Sequence, residues 1–233
     1  MKKCWICNNP GTTGEHLFKA SDIKLYFPGL SQKSPIFIHK KNRKNIPIRG
    51  KKNDHLKSNA RLCSFCNNTR TQDHDGAWMS LSNYICKNDA FIARNSRVDL
   101  KKVYPGKSKK CCKFVHLYFL KLFGCLLVES KNDNLAKEFA ASIINECVHP
   151  DVFLFISDSN TILGGEYYGV SDLNAVFSSS GELVSAGWEY MIGEYTISIR
   201  YTRPDKGDGC SSSGWNPLNN SRIFRLNKRL PAI

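Results

Sequence analysis

The sequence lacks the apolar run that a secretory signal would place near its N-terminus. It starts "MKKCWICNNP", in which two lysines are followed by cysteines and asparagines instead of a hydrophobic segment. It also lacks an obvious membrane-spanning segment, because its longest apolar stretch, residues 114–128, is short and is interrupted by His116 and Lys121. We interpret this stretch as a buried helix, and we expect a cytoplasmic protein that does not contact a membrane.

Acidic residues are scarce in the first half of the chain. Residues 1–113 hold 24 Lys and Arg but only 7 Asp and Glu, a net charge of +17, whereas residues 114–233 carry a net charge of −3. The excess positive charge therefore lies in one half, as is typical of a surface that binds a polyphosphate such as nucleic acid. A solvated face that only keeps the protein soluble is the alternative.

Cysteine is abundant, with ten residues, but the sequence does not resemble a disulfide scaffold. Where thiols stay reduced, paired Cys-x-x-Cys motifs indicate zinc or redox chemistry. Cys4 and Cys7 form one such pair, and Cys63 and Cys66 form a second. Together they predict one structural zinc site with four thiolate ligands. The other six cysteines are expected to be small apolar residues of the core.

Helix and strand signals predict an α+β fold of two domains. The first domain, residues 1–100, begins with a knuckle-like turn and continues through a basic, irregular stretch that contains two short strands. A helix is predicted from Cys66 onward, with a bend near Gly76. On this helix we expect His74 and the acidic residues beside it to be exposed.

A basic linker is expected at residues 101–113, before a second domain at residues 114–233. Helices are predicted at residues 110–128 and 133–147 and are followed by five strands, which form an antiparallel β region. The C-terminal half carries no motif that identifies its role. Sensing of a ligand, docking of a protein partner or a second copy, and recognition of a modified base all stay open.

A Glu-His pair, Glu15 and His16, follows the first cysteine pair, and Asn67 follows Cys66 directly. A neutral imidazole suits removal of a proton from water near pH 7. Carboxylate and amide oxygens are ligands that Mg²⁺ prefers. In this order, the motifs resemble the zinc-bearing branch of the HNH (His-Me finger) endonucleases, which includes recombination endonuclease VII and McrA-type nucleases. The resemblance covers roughly residues 4–80.

The resemblance implies a ββα-metal fold, in which a β-hairpin and a helix hold one divalent ion above a structural zinc. It implies His16 as the general base, Glu15 and Asn67 as ligands of a catalytic Mg²⁺ or Mn²⁺, and Asn59 as the residue that fixes the hairpin. It therefore implies a metal-dependent endonuclease that hydrolyses phosphodiester bonds of DNA, with RNA as an alternative substrate. By analogy with compact nucleases that carry an unfamiliar second domain, it also suggests a part in bacterial anti-phage defence.

Several basic residues are candidate contacts to nucleic acid. Arg70 lies three residues after Asn67, so we expect it to share that helix face and to clamp a phosphate. The hairpin of the resemblance must hold an insertion, whose basic segment is either a DNA-facing arm or a solvated loop. The candidate contacts in this segment are Lys40, Lys41, Arg43 and Lys44.

Two other functions stay open. In the first, the chain is a zinc-stabilised module that binds nucleic acid without catalysis, and Glu15 and His16 are incidental. In the second, the cysteine pairs are redox-active, and the chain then contains no stoichiometric zinc. The order of the cysteine pairs, the Glu-His pair and the Cys-Asn step favours the enzyme.

Overall fold

The computed structural model describes residues 2–40, 43–51, 53–203 and 213–227, and within them the fold mixes helices and strands. The helices are α1 (Ala20–Tyr26), α2 (Gln72–Lys87), α3 (Asp89–Asn95), α4 (Leu100–Val103), α5 (Ser108–Glu129), α6 (Asp133–Ile144) and α7 (Ser159–Leu163). The strands are β1 (Thr13–His16), β2 (Ile36–Lys40), β3 (Arg43–Ile48), β4 (Lys57–Leu62), β5 (Arg97–Asp99), β6 (Val152–Asp158), β7 (Tyr167–Val170), β8 (Asn174–Phe177), β9 (Leu183–Gly193), β10 (Tyr195–Thr202) and β11 (Ile223–Asn227).

Helix α5 is the central element of the core, because it is apolar on nearly every face. It contacts α2, α6 and β4, and nearly all of its residues from Phe114 to Leu127 are buried. Among the described residues it is the one helix long and apolar enough to cross a bilayer, yet 83% of its most apolar 18-residue window is buried inside the fold. The predicted buried helix is therefore confirmed.

The N-terminal part of the fold combines two strands with one helix. Strand β1 pairs antiparallel with β4, with Thr13 opposite Leu62 and His16 opposite Lys57, and the register shifts between Gly14 and His16. Helix α1 and the β2–β3 hairpin are inserted between these two strands. A π-helical turn, Phe65–Arg70, then leads from β4 into α2.

A mixed sheet forms the other side of the core, with the strand order β5-β11-β6-β10-β9-β7. Strand β8 also pairs with β9, and all pairings are antiparallel except that of β11 with β6. All five strands predicted in the C-terminal half are present as β6–β10. The short strands β5 and β11 were not predicted.

The two predicted domains share one hydrophobic core. Residues 101–113, expected to form a linker, hold most of α4 and the start of α5. Strand β5, from the N-terminal part of the chain, pairs with β11 in the large sheet. The indole of Trp78 on α2 packs against Tyr118 of α5 and Tyr190 of β9, at ring distances of 5.5 and 5.3 Å.

The cysteines outside the two pairs follow the prediction only in part. Cys112 and Cys125 are buried, as expected of small apolar residues, and Cys111 is partly buried. Cys86 and Cys147 are exposed, so the prediction was wrong for them. Cys210 lies outside the described residues.

The N-terminal knuckle, residues 3–10, rests on α5 through one glycine. An added Cβ at Gly124 would lie 2.1 Å from the Cη2 atom of Trp5, so any side chain there would displace the indole. Gly76 in α2 is the opposite case, since no atom of the described residues outside its own stretch of helix lies within 4 Å of the position of its missing Cβ. Glycine is therefore needed for packing at Gly124 but not at Gly76.

We expect Gly124→Ala to lower the free energy of unfolding, although alanine favours a helix by about 1 kcal/mol over glycine. The control Gly76→Ala should raise it by up to about 1 kcal/mol, because only the helix propensity changes. Chemical denaturation of both variants measures these changes. Equal stabilisation by both would show that Trp5 does not pack against α5.

Candidate functional site

Four cysteine thiols meet where the knuckle approaches the junction of β4 and α2. The Sγ atoms of Cys4, Cys7, Cys63 and Cys66 all lie within 4.8 Å of one another, and those of Cys7 and Cys63 are 3.6 Å apart. Zinc–sulfur bonds of about 2.3 Å in a tetrahedron place the sulfur atoms about 3.8 Å apart. The cluster could therefore hold one structural zinc ion, as the spacing predicted.

The backbone around the cluster has the tight turns that a metal knuckle needs. The backbone N–H of Cys4 donates to Asn9 O at 2.7 Å, and Asn8 takes a left-handed conformation with φ of 62°. The backbone N–H of Cys66 donates to the Sγ of Cys63 at 3.3 Å. The knuckle is further held to β4 by the backbone N–H of Trp5, which donates to Arg61 O.

Arg70 lies against the cysteine cluster. Its guanidinium donates to the Sγ of Cys66 at 3.0 Å and stacks over the ring of Phe65, 5.0 Å from the centroid. A positive group beside zinc-bound thiolates offsets their charge. Arg70 therefore lies beside the cysteine cluster, and its contact to a phosphate stays a prediction.

A buried lysine lies close to the carboxylate of Glu15. Lys121 on α5 is fully buried, and its Nζ is 3.1 Å from Oε2 of Glu15, whose side chain is 9% exposed. The same Nζ is 3.1 Å from Oδ1 of Asp75 and donates to the hydroxyl of Thr71 at 3.1 Å. A second ammonium, that of Lys19, lies 3.0 Å from Asp75. We call Glu15, Lys19, Asp75 and Lys121 the buried charge cluster.

The buried charge cluster is neutral as it stands, with two carboxylates and two ammonium groups. Burial disfavours the ammonium of Lys121, but Glu15 and Asp75 outweigh this and hold its pKa above the usual value. Burial raises the pKa of Glu15, and Lys121 opposes that shift. Burial would also raise the pKa of Asp75, but its two lysine partners hold it below the usual range.

Glu15 does not fit a divalent ion in this arrangement. An ion bound to its carboxylate would lie within a few ångströms of the Lys121 ammonium and would give a neutral, buried cluster an excess of two positive charges. Asn67 fits better, because its Oδ1 is buried and has no hydrogen-bond partner among the residues that the structure describes. The implied ligand set of Glu15 with Asn67 is therefore not preformed here.

His16 and Asn67 both present an unpaired polar atom. The Nε2 atom of His16 is buried and, within the described ranges, makes no hydrogen bond. Burial, and after it the positive charge of Lys57, lowers the pKa of His16, so the ring is neutral at pH 7. The Nδ2 of Asn67 donates to the hydroxyl of Thr13 on β1 at 3.2 Å, which places the start of the helical segment against the strand that carries His16.

Asn59 lies on β4, and the basic segment forms the β2–β3 hairpin. The backbone N–H of Asn59 donates to the carboxylate of Glu129 at 2.5 Å. Lys40 ends β2, and Arg43 and Lys44 begin β3, all three exposed; Lys41 lies outside the described residues. The basic segment is thus a β-hairpin where the structure describes it, and its contact to DNA stays a prediction.

His74 was predicted to be exposed, and this is wrong. Its ring is buried and packs against Phe114, with 5.2 Å between centroids. Burial lowers its pKa to about 4. The side chain of Asp75 is only 25% exposed because it joins the buried charge cluster, whereas that of Asp73 is 66% exposed, as expected.

The contacts of Lys121 with Thr71 and Asp75 were not predicted from the sequence. A signal was present, since a lysine within an otherwise apolar helix is almost never buried without a carboxylate partner. Glu15 and Asp75 were the acidic residues to test as its partner. The direction of the Glu15 side chain could not be deduced, because the register shift in β1 decides which way it points.

No protein-family model, no curated protein and no solved structure matches this chain. The resemblance to HNH endonucleases therefore rests on the order of the motifs, and the HNH-specific arrangement stays a prediction.

We expect one zinc ion per chain and loss of zinc, with loss of folded N-terminal structure, in Cys63→Ser. The control Cys86→Ser changes an exposed cysteine outside the cluster and should keep zinc and stability. Elemental analysis of the purified proteins, with circular dichroism melting, measures both effects. Wild-type protein without stoichiometric zinc would contradict the metal site and favour the redox alternative.

We expect Lys121→Met to lower the free energy of unfolding by about 3–5 kcal/mol, since it leaves the buried carboxylate of Glu15 without a partner and Asp75 with Lys19 alone. Adding Glu15→Gln should recover most of that loss, because the remaining charges, Asp75 and Lys19, still form a pair. The exposed pair of Lys110 with Asp73 provides the control, and Lys110→Met should change stability by less than about 1 kcal/mol. Similar losses in Lys121→Met and Lys110→Met would contradict the buried charge cluster.

Proposed function

We propose that this protein is an endonuclease that hydrolyses phosphodiester bonds of DNA, with His16 as the general base. The observation that supports this most is that His16 and Asn67, the base and the closing amide of the resemblance, each keep a buried polar atom without a partner among the described residues. A buried polar atom without a protein partner is available to a ligand, a water or an ion. The cysteine cluster, which could hold zinc, adjoins the segment that carries Asn67, and Asn67 bonds to Thr13 of β1.

His16 would act by taking a proton from the water that attacks the phosphorus. Its neutral ring has a free electron pair for that proton, and Lys57, opposite it on β4, adds positive charge near the incoming phosphate. A Mg²⁺ or Mn²⁺ ion, where bound, would stabilise the charge on the phosphate oxygens. Since Glu15 is paired with Lys121, we assign no step to that ion.

The excess positive charge of residues 1–113 supports DNA as the partner. A location in the cytoplasm, where thiols remain reduced, belongs to the same proposal. A role in anti-phage defence is a hypothesis by analogy, in which the C-terminal sheet would sense a signal, dock a partner or recognise the target.

A second candidate function is a zinc-stabilised module that binds nucleic acid without cleaving it. The ion pair between Glu15 and Lys121 favours it, because this pair occupies the carboxylate that the resemblance assigns to the catalytic ion. In this case the exposed hairpin cations bind phosphate, and His16 only supports the local fold.

We expect plasmid cleavage in Mg²⁺ or Mn²⁺ to fall at least about 100-fold in His16→Ala and in Asn67→Ala, with zinc content unchanged. Asn68→Ala is the matched control, since Asn68 is exposed and its amide donates only to the nearby hydroxyl of Ser64. Gel electrophoresis of supercoiled DNA measures the rates.

Cleavage by His16→Ala at the wild-type rate would contradict the role of His16. Absence of cleavage in the wild type, combined with salt-sensitive DNA binding that His16→Ala leaves intact, would contradict the enzyme and favour the binding module. Loss of zinc in Asn67→Ala would show that Asn67 supports the cysteine cluster instead of the reaction.

A further inference from the structure

A groove of about 750 Å³ separates the β2–β3 hairpin from strand β7. The hairpin forms one wall, and residues 168–172 form the other. Residues of β4 and the end of α5 also line it, among them Asn59 and Glu129. Its volume lies within the range of sites that hold a small organic ligand or one nucleotide.

Positive charge dominates the hairpin side of this groove. Lys40, Arg43 and Lys57 line it together with His39 and His55. Lys57 is already paired with Asp54 at 2.8 Å. Lys40 and Arg43 have no carboxylate partner within the part of the chain that the structure describes, so both cations can bind an anion.

Little negative charge opposes these cations. Glu129 and Asp172 are the acidic residues that line the groove. Glu129 is already used, since it accepts hydrogen bonds from the hydroxyl of Ser58 and the backbone N–H of Asn59, at 2.6 and 2.5 Å. The charge of the groove therefore favours an anionic ligand.

Two aromatic rings line the groove next to these cations. Phe37 on β2 is 57% exposed, an unusually high exposure for a phenylalanine. Tyr168 on β7 is 39% exposed, and its ring packs against the ring of Phe27, with 4.8 Å between the centroids. A fixed aromatic wall beside free cations is the combination that binds the base and the phosphate of an unpaired nucleotide.

The groove begins next to His16. Leu17, the following residue, lines the groove, and Lys57, which lines it too, lies opposite His16 in the β1–β4 ladder. His16 itself does not line the groove, and its Nε2 atom is buried, so a bound strand would lie beside the residues that flank the proposed base.

We propose that this groove binds an unpaired nucleotide of a single DNA strand, with its base against Phe37 and its phosphate on Lys40 and Arg43. The inference deepens the proposed function, since it makes single-stranded or locally opened DNA the substrate. It rests on the proposed function only for the claim that the bound strand is then cleaved, because binding itself needs no catalysis. A base that stacks on Phe37 must first leave the stack of its own strand, so paired and stacked DNA would have to be opened locally.

The test measures fluorescence anisotropy of a labelled oligodeoxythymidine of about ten nucleotides, within the site sizes of single-strand binders. The buffer contains no divalent ion, so the strand stays intact. We expect Phe37→Ala to weaken binding by about 5- to 150-fold, the factor that one lost stacking contact gives. Phe177→Ala is the matched control, since Phe177 on β8 is 50% exposed and lies outside the groove.

Two further arms decide the nature of the ligand. Arg43→Gln should weaken oligonucleotide binding and reduce its dependence on salt. A duplex of the same length should bind with little response to Phe37→Ala. Thymidine monophosphate that binds as tightly as the oligonucleotide would overturn the strand in favour of a free nucleotide.

Equal effects of Phe37→Ala and Phe177→Ala, or no effect of either, would overturn the groove as a nucleotide site. Circular dichroism melting of both variants shows that each is folded. This failure is distinguishable from failure of the proposed function, which the plasmid assay with His16→Ala reports separately. Cleavage that depends on His16 but not on Phe37 would retain the nuclease and reject only the groove.

Discussion

An ammonium group inside an apolar helix must be met by carboxylates, and Lys121 meets this demand with Glu15 of β1 and Asp75 of α2. Strand β1 and helix α2 therefore converge on one atom of α5. This convergence turns the side chain of Glu15 into the core, where it is buried. The position of His16, the next residue, depends on this interior pairing of its neighbour.

The cysteine cluster and the aromatic core hold the same N-terminal segment from two sides. Metal binding couples to folding wherever the ligands come from distant parts of the chain, as the two cysteine pairs do here. The indole of Trp5, between these ligands in sequence, packs on α5 at Gly124. The cysteine cluster and the helix core thus hold the same segment, and we expect loss of either to loosen the strand that carries His16.

Spacing predicted the cysteine cluster because tetrahedral coordination imposes the same local turn on each Cys-x-x-Cys pair. Runs of strand-forming residues separated by Gly, Ser, Asn and Asp clusters predicted β6–β10 for a similar reason, since this signal too is local in the chain. Strand β5 has only three residues and exists because β11 pairs with it, a contact that no local pattern contains. The direction of Glu15 and the groove beside Phe37 likewise depend on distant elements, so the sequence could not reveal them.

The pairing of β5 with β11 joins residues 97–99 to residues 223–225, more than a hundred positions away. Contacts of such sequence separation close late in folding, because a long loop must be ordered before they form. Helices α4–α6 and strands β6–β10 all lie between these two strands in the chain order. Division of the chain near residue 100 would separate β5 from β11, and each strand would then lack the partner that covers its edge.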